Sequence, residues 1–288
     1  MALNLLTRPL PSFEGASAGQ TATLRMPVGY TYHQILLTHG SGMTLSDMVE
    51  IRFFVNGEQV QTFRGADNLD QFFNEYEGRT ASADNLLIID FERYGIRTRD
   101  GQIVTALGTG APSAPGADNA AGTLQVKTLT MEIDIDPNAT GVSLSAKAIQ
   151  SGPAELGLMK VIRRFVRNPS GAGEYEISDL PTAGNLINKV IFRVASGTGN
   201  IDRIQLYKDN FLSLDRTLAE NNRRQIDGVR VPQTDSFVID PTEDGFGSES
   251  IVTKNIDDFR WILTMDGAAE LEIYVEYLAQ PGAFAVRR

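Results

Sequence analysis

The side chains best suited to chemistry in this 288-residue sequence are carboxylates. Asp134 and Asp136 fall on one strand face, Asp240, Glu243 and Asp244 share a loop, and Asp257-Asp258 precede the last strands. Hard cations such as calcium take several oxygen ligands of this kind, which makes Asp134, Asp136, Asp240, Glu243 and Asp244 the candidate metal ligands. None of the sets matches the twelve-residue loop of an EF-hand. Two carboxylates held about 5 to 10 Å apart could instead cleave a glycosidic bond. Histidine offers less. His33 and His39 stand six apart with no HExxH helix, and a Ser-His-Asp relay would need the fold to bring a serine and an acid beside one of them. Cysteine is absent, which removes thiolate nucleophiles, thiolate metal sites and disulfides. Ser196-Gly197-Thr198-Gly199-Asn200 lacks the lysine and the strand-to-helix context of a phosphate-binding loop. The reading is of a chain with no catalytic residue and no required cofactor, calcium being the one ion its carboxylates suit.

The elements that would position these groups are strands. Leu129, Met131, Ile133 and Ile135 alternate with polar residues, as do Leu271, Ile273, Val275 and Tyr277. Alternation recurs at Ile51 to Val55, Val142 to Ala146, Val190 to Val194 and Phe259 to Met265, so antiparallel sheets with one buried face are expected. Ile35, Phe53, Met131 and Ile133 are predicted core residues of the first half, and Phe192, Leu206, Trp261, Leu263 and Ile273 of the second. Leu69, Phe72, Phe73 and Tyr76 have helical spacing. A second short helix is expected after Ser213, with Leu214 and Leu218 on one face before Asn221-Asn222.

The order of elements occurs twice. A strand around Ile35 leads to Gly40-Ser41-Gly42, a strand to Val55, the turn Asn56-Gly57 and a helix; a strand around Val190 leads to Gly197-Thr198-Gly199, a strand to Tyr207, the turn Asp209-Asn210 and a helix. Duplication of one β-sandwich is the economical explanation. The expected division is an N-terminal arm at 1–20, a first sandwich at 21–149, a linker at 150–173, a second sandwich at 174–280 and a tail at 281–288. The linker carries Lys160, Arg163, Arg164 and Arg167, which could meet acidic lipid headgroups or a neighbouring subunit's carboxylates. Gly108 to Gly122 reads as a long loop, and Arg287-Arg288 ends the tail.

A formal net charge of −10 argues against a chain that coats nucleic acid. The start, Met1 to Pro11, lacks the pattern of a signal peptide, and no run of 18 apolar residues occurs. The expectation is a soluble chain made in a host cytoplasm.

Several short segments, in order, resemble the major capsid proteins of corticovirus-type bacteriophages and their double jelly-roll relatives. They are Met26-Pro27-Val28-Gly29 with Thr31-Tyr32, Ala106-Leu107-Gly108-Thr109, Leu144-Ser145-Ala146, Arg163-Arg164, Glu176-Ile177-Ser178-Asp179-Leu180-Pro181 and Val275-Glu276-Tyr277. The resemblance implies an all-β chain of two tandem eight-stranded jelly rolls, with short helices in the connections. It implies a structural role in the virion, not an enzyme: homotrimers that imitate hexamers and tile an icosahedral capsid over an internal lipid membrane. Partners would be neighbouring trimers, a penton protein and minor membrane proteins, and particle stability would depend weakly on calcium. The alternative is a secreted glycan-active enzyme, or a carbohydrate-binding protein, on the same scaffold.

Overall fold

The computed structural model describes residues 4–80, 82, 84–111, 125–182, 186–226 and 228–279. Most of the loop expected at Gly108 to Gly122, and the 281–288 tail with Arg287-Arg288, lie outside the described residues. The chain forms two compact units, Met1–Ile162 with Ala279–Arg288, and Arg163–Leu278.

Unit 1 holds β1 (Leu6–Pro9), β2 (Thr21–Met26), β3 (Thr31–His39), β4 (Met48–Val55), β5 (Glu58–Arg64), β6 (Leu86–Asp90), a short β7 (Leu107–Gly108), β8 (Leu129–Ile135) and β9 (Leu144–Ser151). One sheet has the order β1-β9-β3-β6 and the other β2-β8-β4-β5. Helix α1 (Ala66–Asp70) runs into a π turn at Gln71–Glu75, and α2 is Arg99–Ile103.

In the second half the strands are β10 (Met159–Arg167), β11 (Gly173–Ile177), β12 (Leu186–Gly197), β13 (Ile201–Lys208), β14 (Phe211–Thr217), β15 (Ser236–Ile239), a short β16 (Ile251–Val252), β17 (Phe259–Met265) and β18 (Ala269–Ala279). Their orders are β10-β18-β12-β15 and β11-β17-β13-β14. Set aside the two short strands, and each half joins its first, eighth, third and sixth strands in one sheet and its second, seventh, fourth and fifth in the other. This is the jelly-roll connection, made twice.

The expected core residues are buried in both units. Aromatic rings bridge the two sheets of each roll. Phe192 of β12 meets Trp261 of β17 edge-on at 5.5 Å, and Phe53 of β4 meets Phe91, just past β6, at 5.4 Å. Each such pair adds about 0.5–1.5 kcal/mol beyond the burial of its two rings.

The repeated glycine motif has a steric cause. A Cβ on Gly40 would fall on the carbonyl oxygen of Gly141, in the turn between β8 and β9, and one on Gly199 would fall on that of Gly267, between β17 and β18. In both rolls the chain leaving the third strand passes against the turn joining the last two, too close for a side chain. The turns Asn56-Gly57 and Asp209-Asn210 both take positive φ at both positions, as tight hairpins require.

Three expectations are corrected. The arm at 1–20 contains β1, whose mostly exposed residues pair with β9 and show no apolar alternation. The 150–173 linker contains the nine-residue strand β10. The helix expected directly after Ser213 begins only at Leu218, because Phe211–Thr217 completes a hairpin with β13. Helix α3 (Leu218–Ile226) starts where it does because the Glu220 carboxylate accepts from Thr217 N at 2.8 Å while Thr217 Oγ1 accepts from Glu220 N at 3.3 Å.

Gly40→Ala and Gly199→Ala should each lower the unfolding free energy by about 1–3 kcal/mol, since backbone must move to admit the methyl group. Gly171→Ala, with no atom within 4 Å of its Cβ position, should be close to neutral. Urea titrations of the three variants against the parent protein measure the difference.

Candidate functional site

Each roll carries a buried polar network, built from the same elements. The third strand of each is interrupted by one extra residue where it meets the last strand, between Tyr32 and Gln34 in β3 and between Ile187 and Lys189 in β12. The inserted residues are His33 and Asn188, both buried. His33 Nδ1 contacts the Glu92 carboxylate, and its Nε2 lies 2.8 Å from Ser151 Oγ. Asn188 donates to Glu276 Oε1 at 2.6 Å and accepts from Ser250 Oγ at 3.3 Å. A bulge residue, a buried carboxylate and a serine hydroxyl thus recur together.

The helices dock on the sixth strands through a second repeated contact. Asn74, in the π turn, donates to the carbonyl of Ile88 in β6 at 3.0 Å, and Asn221, in α3, donates to the carbonyl of Val238 in β15 at 2.9 Å. Cross-strand register makes these carbonyls equivalent, because Leu36 opposes Ile88 and Ile191 opposes Val238. The same register carries Asp90 onto Asp240. Each of these buried aspartates faces an arginine that follows its helix: Arg79 Nη2 is 2.6 Å from Asp90 Oδ2, and Arg230 Nε donates to Asp240 Oδ2 at 2.8 Å.

The two pairs differ in how well the charge is met. Burial raises the Asp90 carboxyl to about 6 in spite of Arg79 and Lys160, and its contact with Arg79 is close but out of line for a hydrogen bond. Burial also pushes Asp240 upward, but Arg230, Lys189 and the donors on Thr242 outweigh it and hold the group below the usual aspartate range. Among the described residues the second roll has the better-satisfied carboxylate.

Ser151, His33 and Glu92 form the outline of a nucleophile, base and orienting acid. Their setting is that of a structural tie. Arg99 grips both Glu92 oxygens at 2.8 and 2.9 Å, and Ser151 is paired with Thr31 inside the sheet instead of standing on a free turn.

The carboxylates singled out as metal ligands are placed as follows. Asp134 receives both terminal nitrogens of Arg52, at 2.6 and 2.9 Å, and Thr21 Oγ1 at 2.6 Å. Asp136 accepts from Asn138 N and Nδ2 within its own turn. Asp240 is held by Arg230 and Thr242, Glu243 by Arg216 and Arg224, and Asp244 by Arg224 at 3.1 Å. The loop does gather Asp240, Glu243 and Asp244, but guanidinium groups stand where a cation would. Among the described residues no three acidic or histidine side chains are grouped to hold a metal ion.

Replacing Arg230 with Met should cost about 3–5 kcal/mol, because it removes the cation that hydrogen-bonds the buried Asp240 side chain. The urea midpoint reads this directly. For Asp90, the folded value of about 6 exceeds the ordinary 3.8, so the folded chain binds a proton that the unfolded chain has released between those values. Its contribution to stability is full below about pH 4 and is lost as pH rises through 6. A pH series of urea midpoints should show this decline, and Asp90→Asn should flatten it.

Comparison with known proteins agrees with the duplicated fold. The Viral coat protein P2 N-terminal domain family matches residues 7–151, and the Viral coat protein P2 C-terminal domain family matches 159–281. The chain is 24% identical over 274 residues to the major capsid protein P2 of Pseudoalteromonas phage PM2, covering 93% of this chain and 95% of that one. The crystal structure of the PM2 protein superposes with a TM-score of 0.85 at 23% identity, over 97% of this chain and 100% of the other. The major capsid protein of Sulfolobus Turreted Icosahedral Virus superposes at 0.68 with 11% identity, over 96% and 97%. With both of its halves matched in order by the two P2 domains, the chain belongs to the P2 family of viral coat proteins.

Proposed function

We propose that this chain is the major capsid subunit of a virus, located in the virion shell, and that it acts by assembly and not by catalysis. The observation that carries the reading is the pair of eight-stranded rolls with identical strand orders, in a chain that belongs to a viral coat protein family across both halves. Three such chains around a threefold axis present six similar sandwiches, a pseudo-hexamer able to tile the facets of an icosahedron. In this reading the shell encloses an internal lipid membrane, with a penton protein at the vertices and minor membrane proteins beneath.

Edge strands supply a physical reason to assemble. β1 and β6 end one sheet of the first roll, and β11 and β14 end one sheet of the second. Natural proteins cover or blunt such edges. Pro9 blunts β1, since it removes one backbone donor from that strand. β14 is mostly exposed and begins with Phe211, 72% accessible, so neighbouring subunits have an apolar edge to cover. Among the described residues, Asp134, Asp240, Glu243 and Asp244, acids on which a glycan-active enzyme would draw, are engaged by arginines.

The expected assembly is a trimer that persists at micromolar concentration and melts as one unit, with interfaces above about 2,000 Å². Sedimentation velocity of the purified protein tests this. A folded monomer with no trimer at that concentration would contradict the reading.

A further inference from the structure

The arginine–aspartate pair is common to both rolls, but in the second roll the third and last strands place two buried charges beside it that have no counterpart at the same strand positions of the first. Lys189 in β12 opposes Glu276 in β18, where the corresponding positions of the first roll are Gln34 and Ile149. The fold therefore does not need this pair. β15 ends at Ile239 opposite Val190, and continuing that register by one residue past the strand end would set Asp240 opposite Lys189, whose charge acts on the Asp240 carboxylate. Directly opposed residues of antiparallel strands project to the same face with Cβ atoms about 5 Å apart. Glu276, Lys189 and Asp240 thus form one row across neighbouring strands, each at most 2% exposed. Lys189 Nζ lies 3.9 Å from Glu276 Oε2, an oxygen that accepts no hydrogen bond.

We propose that Lys189 and Asp240 condense within the folded chain to form an isopeptide bond, with Glu276 as the proton shuttle. The Lys189 ammonium passes a proton to Glu276 Oε2, and the neutral amine attacks Asp240 Cγ. Charge developing on Asp240 Oδ1 is held by Thr242 N and Thr242 Oγ1, which already donate to that oxygen at 2.8 and 2.7 Å. Asp240 Oδ2 leaves as water, taking the proton from Glu276 and a second from the attacking nitrogen. The N–C bond forms, the C–O bond breaks, and Glu276 returns to its starting state. No oxidant or cofactor is needed. Two buried charges of opposite sign are removed, which lowers the desolvation cost of the site, and Arg230 retains its contact with Thr242 Oγ1 at 3.4 Å. Holding amine and carboxyl together supplies an effective concentration high enough to favour condensation in water.

The test is the intact mass of the natively folded full-length protein, measured after denaturation, followed by peptide mapping. The expected result is a mass lower than the sequence mass by one water, and a branched peptide joining the segments around Lys189 and Asp240. Lys189→Arg and Glu276→Gln should return to their own sequence masses. A parent protein at full sequence mass would overturn the proposal. So would a loss of water that persists in Lys189→Arg, which would place the dehydration elsewhere, for example at Asp244-Gly245. If either variant fails to fold, the branched peptide in the parent protein decides alone: its absence overturns the bond.

Discussion

A carboxylate buried in a protein must be met by a cation or give up its charge. Much of the architecture of both rolls follows from how this is done at the end of the sixth strand. Asp90 and Asp240 end or follow those strands, and each is answered by an arginine that the chain reaches only after a helix. The helix must therefore lie against the sixth strand, where Asn74 and Asn221 fix it by donating to equivalent carbonyls. The bulge in the third strand then turns His33 or Asn188 toward a further buried acid. The two rolls share this polar scaffold although few of its residue types agree.

The apolar framework was legible from the sequence where strands bury a single face. In β8 and β17 every second residue is buried and every other one half-exposed, so Leu129 to Ile135 and Phe259 to Met265 announce themselves by alternation. Three strands were not legible. β1 and β14 bury almost nothing, β5 buries four consecutive residues from Val60 to Phe63, and none of the three produces a clean period of two. The start of α3 had a local signal in Thr217 and Glu220, three apart, which outweighs the apolar spacing of Leu214 and Leu218.

The polar network was beyond reach of sequence pattern because its partners are far apart in the chain. Ser151 and His33 are 118 residues apart, and Asn188 and Glu276 are 88 apart. The acidic sets were visible, but their chemistry was set by arginines that spacing does not reveal: Arg52 reaches Asp134 across two strands, and Arg224 reaches Glu243 from a helix. Asp134, Asp240, Glu243 and Asp244 are thus each met by a guanidinium group. The chain's acidity is distributed over ion pairs and a solvated surface.

If a shell is built from this chain, each copy should contribute both of its sandwiches to it, and cryo-electron microscopy of particles containing the protein reads this directly. The expected result is facet capsomers of pseudo-sixfold outline, each filled by three copies of the chain with both rolls accounted for in the density. Capsomers that leave one roll outside the shell layer, or that contain a number of copies other than three, would contradict it.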